Sequence, residues 1–205
     1  MTDLKAFMRN NEQVLWEGRP DKKVTVLEGI FNPMMPFALL WGLIDFGVFI
    51  GSSMASPGEG LFIIPFLLIH AMPVWIYLGG CVTVALRWRN ISYLVTTGGL
   101  YVSSGLFSFN YRMKPWTDIG HINVHQGIFD RMFGVGDVVF ICAHTHVSSH
   151  GNHSDETMKI SNISEFMEVF KLVNNLQTDI YSDTMYPNAQ RPTYNPGYNT
   201  QYNRR

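Results

Sequence analysis

Two apolar runs dominate the pattern of the chain, one from about Phe31 to Ser53 and one from about Leu61 to Leu86. Only Met54-Ala55-Ser56-Pro57-Gly58-Glu59-Gly60 parts them. About 20 helical residues at about 1.5 Å rise each cross the hydrocarbon core of a bilayer, and each run meets that length. The pattern predicts a transmembrane hairpin with spans at about 31–53 and 61–86. Pro33 and Pro36 open the first span, and Pro65 and Pro73 lie within the second. Proline removes a backbone donor and bends a helix, so a kink is expected near Pro73. Gly79-Gly80 offers a place for close helix approach.

After Asn90 the period changes to two. Ser92 to Thr97 predicts a strand, Gly98-Gly99 a tight turn, and Leu100 to Ser104 the returning strand. Phe107, Phe109, Tyr111 and Met113 alternate next, then a run from Ile119 to His125. Gly134-Val135-Gly136-Asp137 reads as a turn into Val138–Ala143. The polar stretch His144 to Glu156 includes a solvated loop, and Thr157 to Ile160 forms the last strand. Asn162-Ile163-Ser164-Glu165 has the spacing of a capping box. Ile163, Phe166, Phe170, Val173, Leu176 and Ile180 follow at helical spacing. That stripe needs a surface, and the antiparallel sheet supplies one. The fold class is therefore an α+β membrane protein: a two-helix hairpin, then a small antiparallel β-barrel capped by a C-terminal helix.

The chain divides into an N-terminal segment (1–30), the hairpin (31–88), the β-rich domain (89–181) and a tail (182–205). The tail is rich in Tyr, Asn and Pro and is expected to be disordered. Residues 1–11 suggest a short surface helix carrying Leu4, Phe7 and Met8 on one side.

Charge sets the orientation. Arg19, Lys22 and Lys23 precede the first span, Arg87 and Arg89 follow the second, and the connecting turn has no basic residue. The positive-inside rule then puts both termini in the cytoplasm, with the chain in the cell membrane and Trp88 as a headgroup-level anchor. The first thirty residues are too polar for a signal peptide. A formal net charge of −1 over 205 residues gives no footprint for nucleic acid. Cys81 and Cys142 make no disulfide framework.

Asp45 and His70 interrupt the spans. Each lies about 12 to 13 positions from the turn, roughly 18 to 20 Å along its helix, so an antiparallel hairpin sets them at similar depth. Buried ionisable groups need partners, and the two are expected to pair across the hairpin. His144, His146, His150 and His153 crowd one region, and imidazoles at close spacing can hold zinc or copper. Their setting reads as a solvated loop, and no metal or other cofactor is expected. No phosphate loop, nucleophile elbow or zinc-protease motif occurs, so no enzymatic activity is expected.

The runs Tyr93-Leu94-Val95-Thr96, Leu100-Tyr101-Val102, Val124-His125-Gln126-Gly127 and Arg131-Met132-Phe133-Gly134-Val135-Gly136-Asp137-Val138 resemble those of the bacterial membrane-flanked domain family, the YdbS-like group. Glu12-Gln13-Val14-Leu15-Trp16-Glu17-Gly18-Arg19-Pro20 is similar to the family's entry segment, and the likeness covers most of residues 11–177. The resemblance implies a cytoplasmic, non-enzymatic barrel of the pleckstrin-homology-like (PH-like) type. The family often has a basic residue where this chain has Thr97-Gly98-Gly99. Residues 90–181 hold Arg112, Lys114, Arg131, Lys159 and Lys171 against eight acidic residues, which disfavours phosphoinositide binding. The expected work is scaffolding beside the bilayer, in envelope maintenance or stress. The partner is a membrane or cytoplasmic protein or a second copy of the chain. Trp116, Phe129, Arg131 and Phe133 are the candidate contact residues. The alternative is a transport or permeation accessory that uses Asp45 and His70.

Overall fold

A computed structural model describes residues 4–10, 12–55, 60–147 and 153–185, with the backbone alone for 60–62, 143–147, 153–156 and 181–185. In chain order the elements are β1 (Val14–Gly18), α1 (Lys22–Ile30), α2 (Met34–Ala55), α3 (Gly60–His70), α4 (Met72–Arg87), β2 (Ser92–Thr96), β3 (Gly99–Gly105), β4 (Phe109–Pro115), β5 (Ile119–His125), α5 (Ile128–Phe133), β6 (Gly136–Val147), β7 (His153–Ile163) and α6 (Phe166–Met185). They form two units, Met1–Val24 with Asn90–Arg205, and Thr25–Arg89.

The β-rich unit holds two antiparallel sheets, β1-β2-β3-β4 and β5-β6-β7. The expected closed barrel is not formed: among the described residues no ladder joins one sheet to the other. The cause lies at the junction. β4 ends at Pro115, and the 3-10 turn Trp116–Asp118 redirects the chain into β5. Trp116 turns inward, 3% exposed, and its Nε1–H donates to the Thr96 carbonyl at 2.8 Å. Its ring packs against Phe140 of the other sheet. The sheets thus share a core without sharing an edge. Val169, Val173, Leu176 and Ile180 of α6 complete that core with Val95, Leu100, Val138 and Ile160. These four recur at steps of three and four, the spacing that keeps one helical face on the sheets.

The N-terminal segment is not a separate piece. β1 pairs with β2 from Val14↔Thr96 to Gly18↔Tyr93, with a bulge between Val14 and Trp16. Leu4, in a 3-10 turn, packs with Leu94, Tyr101, Met8 and Met113 over the outer face. β2 is consequently buried on both faces. The capping box at Asn162 is also replaced. Asn162 remains in β7 at φ 55°, and its N–H donates to Asp137 Oδ1 at 2.9 Å. Glu165, the expected reciprocal partner, instead accepts the Trp16 indole N–H at 2.7 Å. β6 and β7 run further than expected, pairing as far as Val147↔His153. α6 takes in Ser182–Met185, and the rest of the expected disordered tail lies outside the described residues.

In the helical unit, α2 is long and apolar enough to cross a membrane. α3 and α4 are not one straight helix. Ile63–His70 and Met72–Asn90 meet at 53°, the geometry of a broken span or a re-entrant loop. The break falls at Ala71, two residues before Pro73. A proline lacks the N–H for the residue four back, and its ring collides with that carbonyl, so the disruption sits upstream of the ring. The N–H groups of Val74 and Trp75 both turn to the Ala71 carbonyl, at 2.9 and 3.1 Å. Among the described residues nothing lies within 4 Å of a Cβ added at Gly79 or Gly80, so they host no close approach there. The tight packing is at Gly29, where an added Cβ would lie 2.9 Å from Val84.

Candidate functional site

The break in the helix builds the most unusual site of the helical unit. Ending α3 at His70 leaves carbonyls without their helical donors, and such groups are costly in an apolar setting. Two indoles answer them. Trp41 Nε1–H donates to the His70 carbonyl at 2.9 Å, and Trp75 Nε1–H donates to the Leu68 carbonyl at 3.0 Å. The Trp41 ring also stacks on the His70 imidazole at 5.1 Å, with Phe66 stacked against His70 at 5.4 Å. The imidazole is therefore packed against two aromatic rings, which fix its orientation.

The structure brings Asp45 and His70 together: Nδ1 of His70 lies 2.6 Å from Asp45 Oδ1. Asp45 is 7% exposed, and its Oδ2 is buried and accepts no hydrogen bond from the described residues. The site thus holds a carboxylate with spare acceptor capacity beside an oriented imidazole. Chemically it can hold or pass a proton, or receive a small donor at Oδ2. Trp41 and Trp75 were visible in the sequence only as aromatics within apolar runs. Nothing in their spacing marked them as carbonyl partners, because Pro73 announces the kink but not which side chains the folded unit brings within reach of the freed carbonyls.

The candidate contact residues of the β-rich unit separate. Trp116 is buried in the core and cannot meet a partner. Phe129 is half-buried, while Arg131 and Phe133 are exposed on α5. This six-residue helix is pinned at both ends. Gly127 N–H donates to Asp130 Oδ2 at 2.7 Å, and Gly134 takes the left-handed conformation (φ 68°) as C-cap. Gly fits there because it carries no Cβ. Gln126 Nε2 donates to the Val135 carbonyl at 2.7 Å and ties the loop's base. The pinning presents Ile128 (84% exposed) and Met132 (68%) one turn apart beside Phe133. Ile128 and Met132 went unnoticed in the sequence because six residues are too few for a periodic signal.

His144, His146 and His153 lie on β6 and β7, not in a loop, and His150 lies outside the described residues. Another histidine has acidic company: donor atoms of His125, Asp130 and Asp137 lie within 4.8 Å of one another.

Beneath the N-terminal segment, Glu12 Oε2 accepts hydrogen bonds from Tyr101 at 2.9 Å and Thr96 at 3.1 Å. Burial, then the hydrogen bond to Glu12 and its charge, push the Tyr101 phenol up to about 12. Tyr93 is also raised, chiefly by burial. A tyrosine ionises near pH 10 in the unfolded chain, so its raised folded value stabilises the fold fully below that pH. The contribution is lost as pH rises from about 10 through about 12, because the unfolded state releases its proton first. Alkaline unfolding followed by circular dichroism is expected to show this decline, and Tyr101→Phe to remove part of it. An unchanged alkaline limb in Tyr101→Phe would contradict the assignment.

Residues 49–177 match the family model bPH_2, whose description is Bacterial PH domain. No curated protein and no solved structure matches the chain.

Proposed function

The chain belongs to the bacterial PH domain family, and on that footing we propose that it is a non-enzymatic membrane protein whose PH-like unit docks a protein partner at the cytoplasmic face. α2 supplies one span, and the bent pair α3–α4 supplies the second. Leu39, Leu40, Leu43 and Phe46 of α2 are more than half exposed, an apolar surface suited to lipid and not to water. Arg87 and Arg89 at the end of the second span support a cytoplasmic position for the PH-like unit.

The observation that carries the docking role is the exposed triad Ile128, Met132 and Phe133 on α5, with Arg131 beside it. Large apolar side chains held out by a pinned helix make a typical anchor for a partner. In crosslinking from α5 in native membranes the wild-type chain is expected to give a protein adduct, and the double variant Ile128→Asp/Met132→Asp to lose it while keeping wild-type circular dichroism. Truncating each of two anchors costs about 1–2 kcal/mol of binding, together tenfold or more in affinity. Recovery of the same adducts at wild-type yield would remove α5 from the interface. If the adduct is a second copy of the chain, the docking is self-assembly.

The Asp45–His70 pair supports a second reading, a permeation accessory. Ionisable groups within candidate spans mark ion and proton paths in many membrane proteins. Asp45→Asn separates the two, since a scaffold tolerates it and a permeation site does not.

A further inference from the structure

We propose that His125, Asp130 and Asp137 form a binding site for a divalent cation of the Zn2+ or Mn2+ class. The three residues come from three successive elements. His125 ends β5, Asp130 lies in α5, and Asp137 is the second residue of β6. His125 and Asp137 are register partners across the β5–β6 ladder. α5, closed by its glycine cap, folds Asp130 back onto that pair. One donor atom from each of the three lies within 4.8 Å of the others. Donors bound to such a cation at about 2.1 Å sit roughly 3 to 4 Å apart, so a modest contraction forms the site. One imidazole and two carboxylates suit zinc, manganese or ferrous iron better than soft thiophilic ions.

The charge and hydrogen-bond balance points the same way. Asp130 and Asp137 are 1% and 2% exposed. Asp130 Oδ1 is buried and accepts no hydrogen bond from the described residues. Lys159 contacts one of the carboxylates, its Nζ lying 2.7 Å from Asp137 Oδ2. A buried carboxylate oxygen with unmet acceptor capacity calls for a partner. The remaining oxygens are already oriented, Asp130 Oδ2 by the Gly127 N–H and Asp137 Oδ1 by the Asn162 N–H. Outer hydrogen bonds of this kind hold metal-binding carboxylates in place. Access is through His125, whose side chain is 67% exposed, with its Nδ1 3.6 Å from Asp137 Oδ2. The Lys159 side chain is 48% exposed and can swing into solvent as the metal enters. The competing account is that Lys159 and His125 satisfy the carboxylates themselves, with no metal.

The test uses the full chain in detergent, stripped with chelator and titrated with ZnCl2 or MnCl2 by equilibrium dialysis and calorimetry. One saturable equivalent per chain is expected. Asp130→Asn and His125→Gln should each weaken binding tenfold or more. Asn at 130 keeps an acceptor for the Gly127 N–H, and His125 is exposed, so both variants should fold. Lys159→Met should tighten binding by removing the competing ammonium. With Mn2+ bound, pulsed electron paramagnetic resonance should show nitrogen coupling that disappears in His125→Gln. Absence of saturable binding would overturn the proposal. So would binding unchanged in both variants, or binding lost only when His144, His146, His150 and His153 are replaced.

Discussion

Trp116→Ala is expected to destabilise the PH-like unit by about 3–5 kcal/mol, the range for truncating a buried aromatic. That is a large part of the roughly 5–15 kcal/mol that holds a domain folded. The side chain is 3% exposed and closes the junction between the two sheets. Removing it leaves a cavity against Phe140 and deprives the Thr96 carbonyl of its indole donor. Trp116→Phe separates the two effects. It keeps most of the packing and loses the hydrogen bond, at a cost of about 1–3 kcal/mol for the stranded carbonyl. Urea unfolding followed by far-ultraviolet circular dichroism measures both. Wild-type stability in Trp116→Ala, together with a lost partner, would return Trp116 to the surface.

His70→Leu is expected to cost the helical unit about 3–5 kcal/mol, because it strands the buried Asp45 carboxylate. The Oδ2 atom already lacks a hydrogen bond from the described residues, so losing the imidazole leaves both oxygens unsupported by them. Replacing both partners, Asp45→Leu with His70→Leu, should recover most of the loss, since a matched apolar pair carries no desolvation penalty. A double-mutant cycle on thermal unfolding in detergent should give a coupling of about 3 kcal/mol, the upper end for residues in contact. Additive single effects would mean that the 2.6 Å contact does not stabilise the unit.

Much of the fold was legible along the chain where a signal repeats. The alternation in Ser92–Thr96 and Gly99–Gly105 gave the hairpin, and the stripe through Val173, Leu176 and Ile180 gave the helix that covers the sheets. Asp45 and His70 were matched by depth alone, because helix rise converts position into height. What escaped notice depended on distant partners. Val14–Gly18 is five residues long and finds its neighbour only beyond the apolar runs. Trp116 looked like a surface anchor because its turn is polar on either side, yet the gap it fills exists only once two sheets face each other. Asn162 and Glu165 had capping spacing, but Asp137 and Trp16 competed for their groups and won.

The ladder between β1 and β2 makes the helical unit an insertion within a single sheet. On the ribosome, Val14–Gly18 emerges well before Ser92–Thr96 and must wait through the whole insertion for its neighbour. A fragment starting at Asn90 would retain most of the core but expose one side of a strand that is buried on both faces in the intact chain. Such a raw strand recruits a second molecule or aggregates. The β-rich half is therefore better excised by joining Pro20 or Asp21 directly to Asn90 than by cutting after the last helix of the insertion.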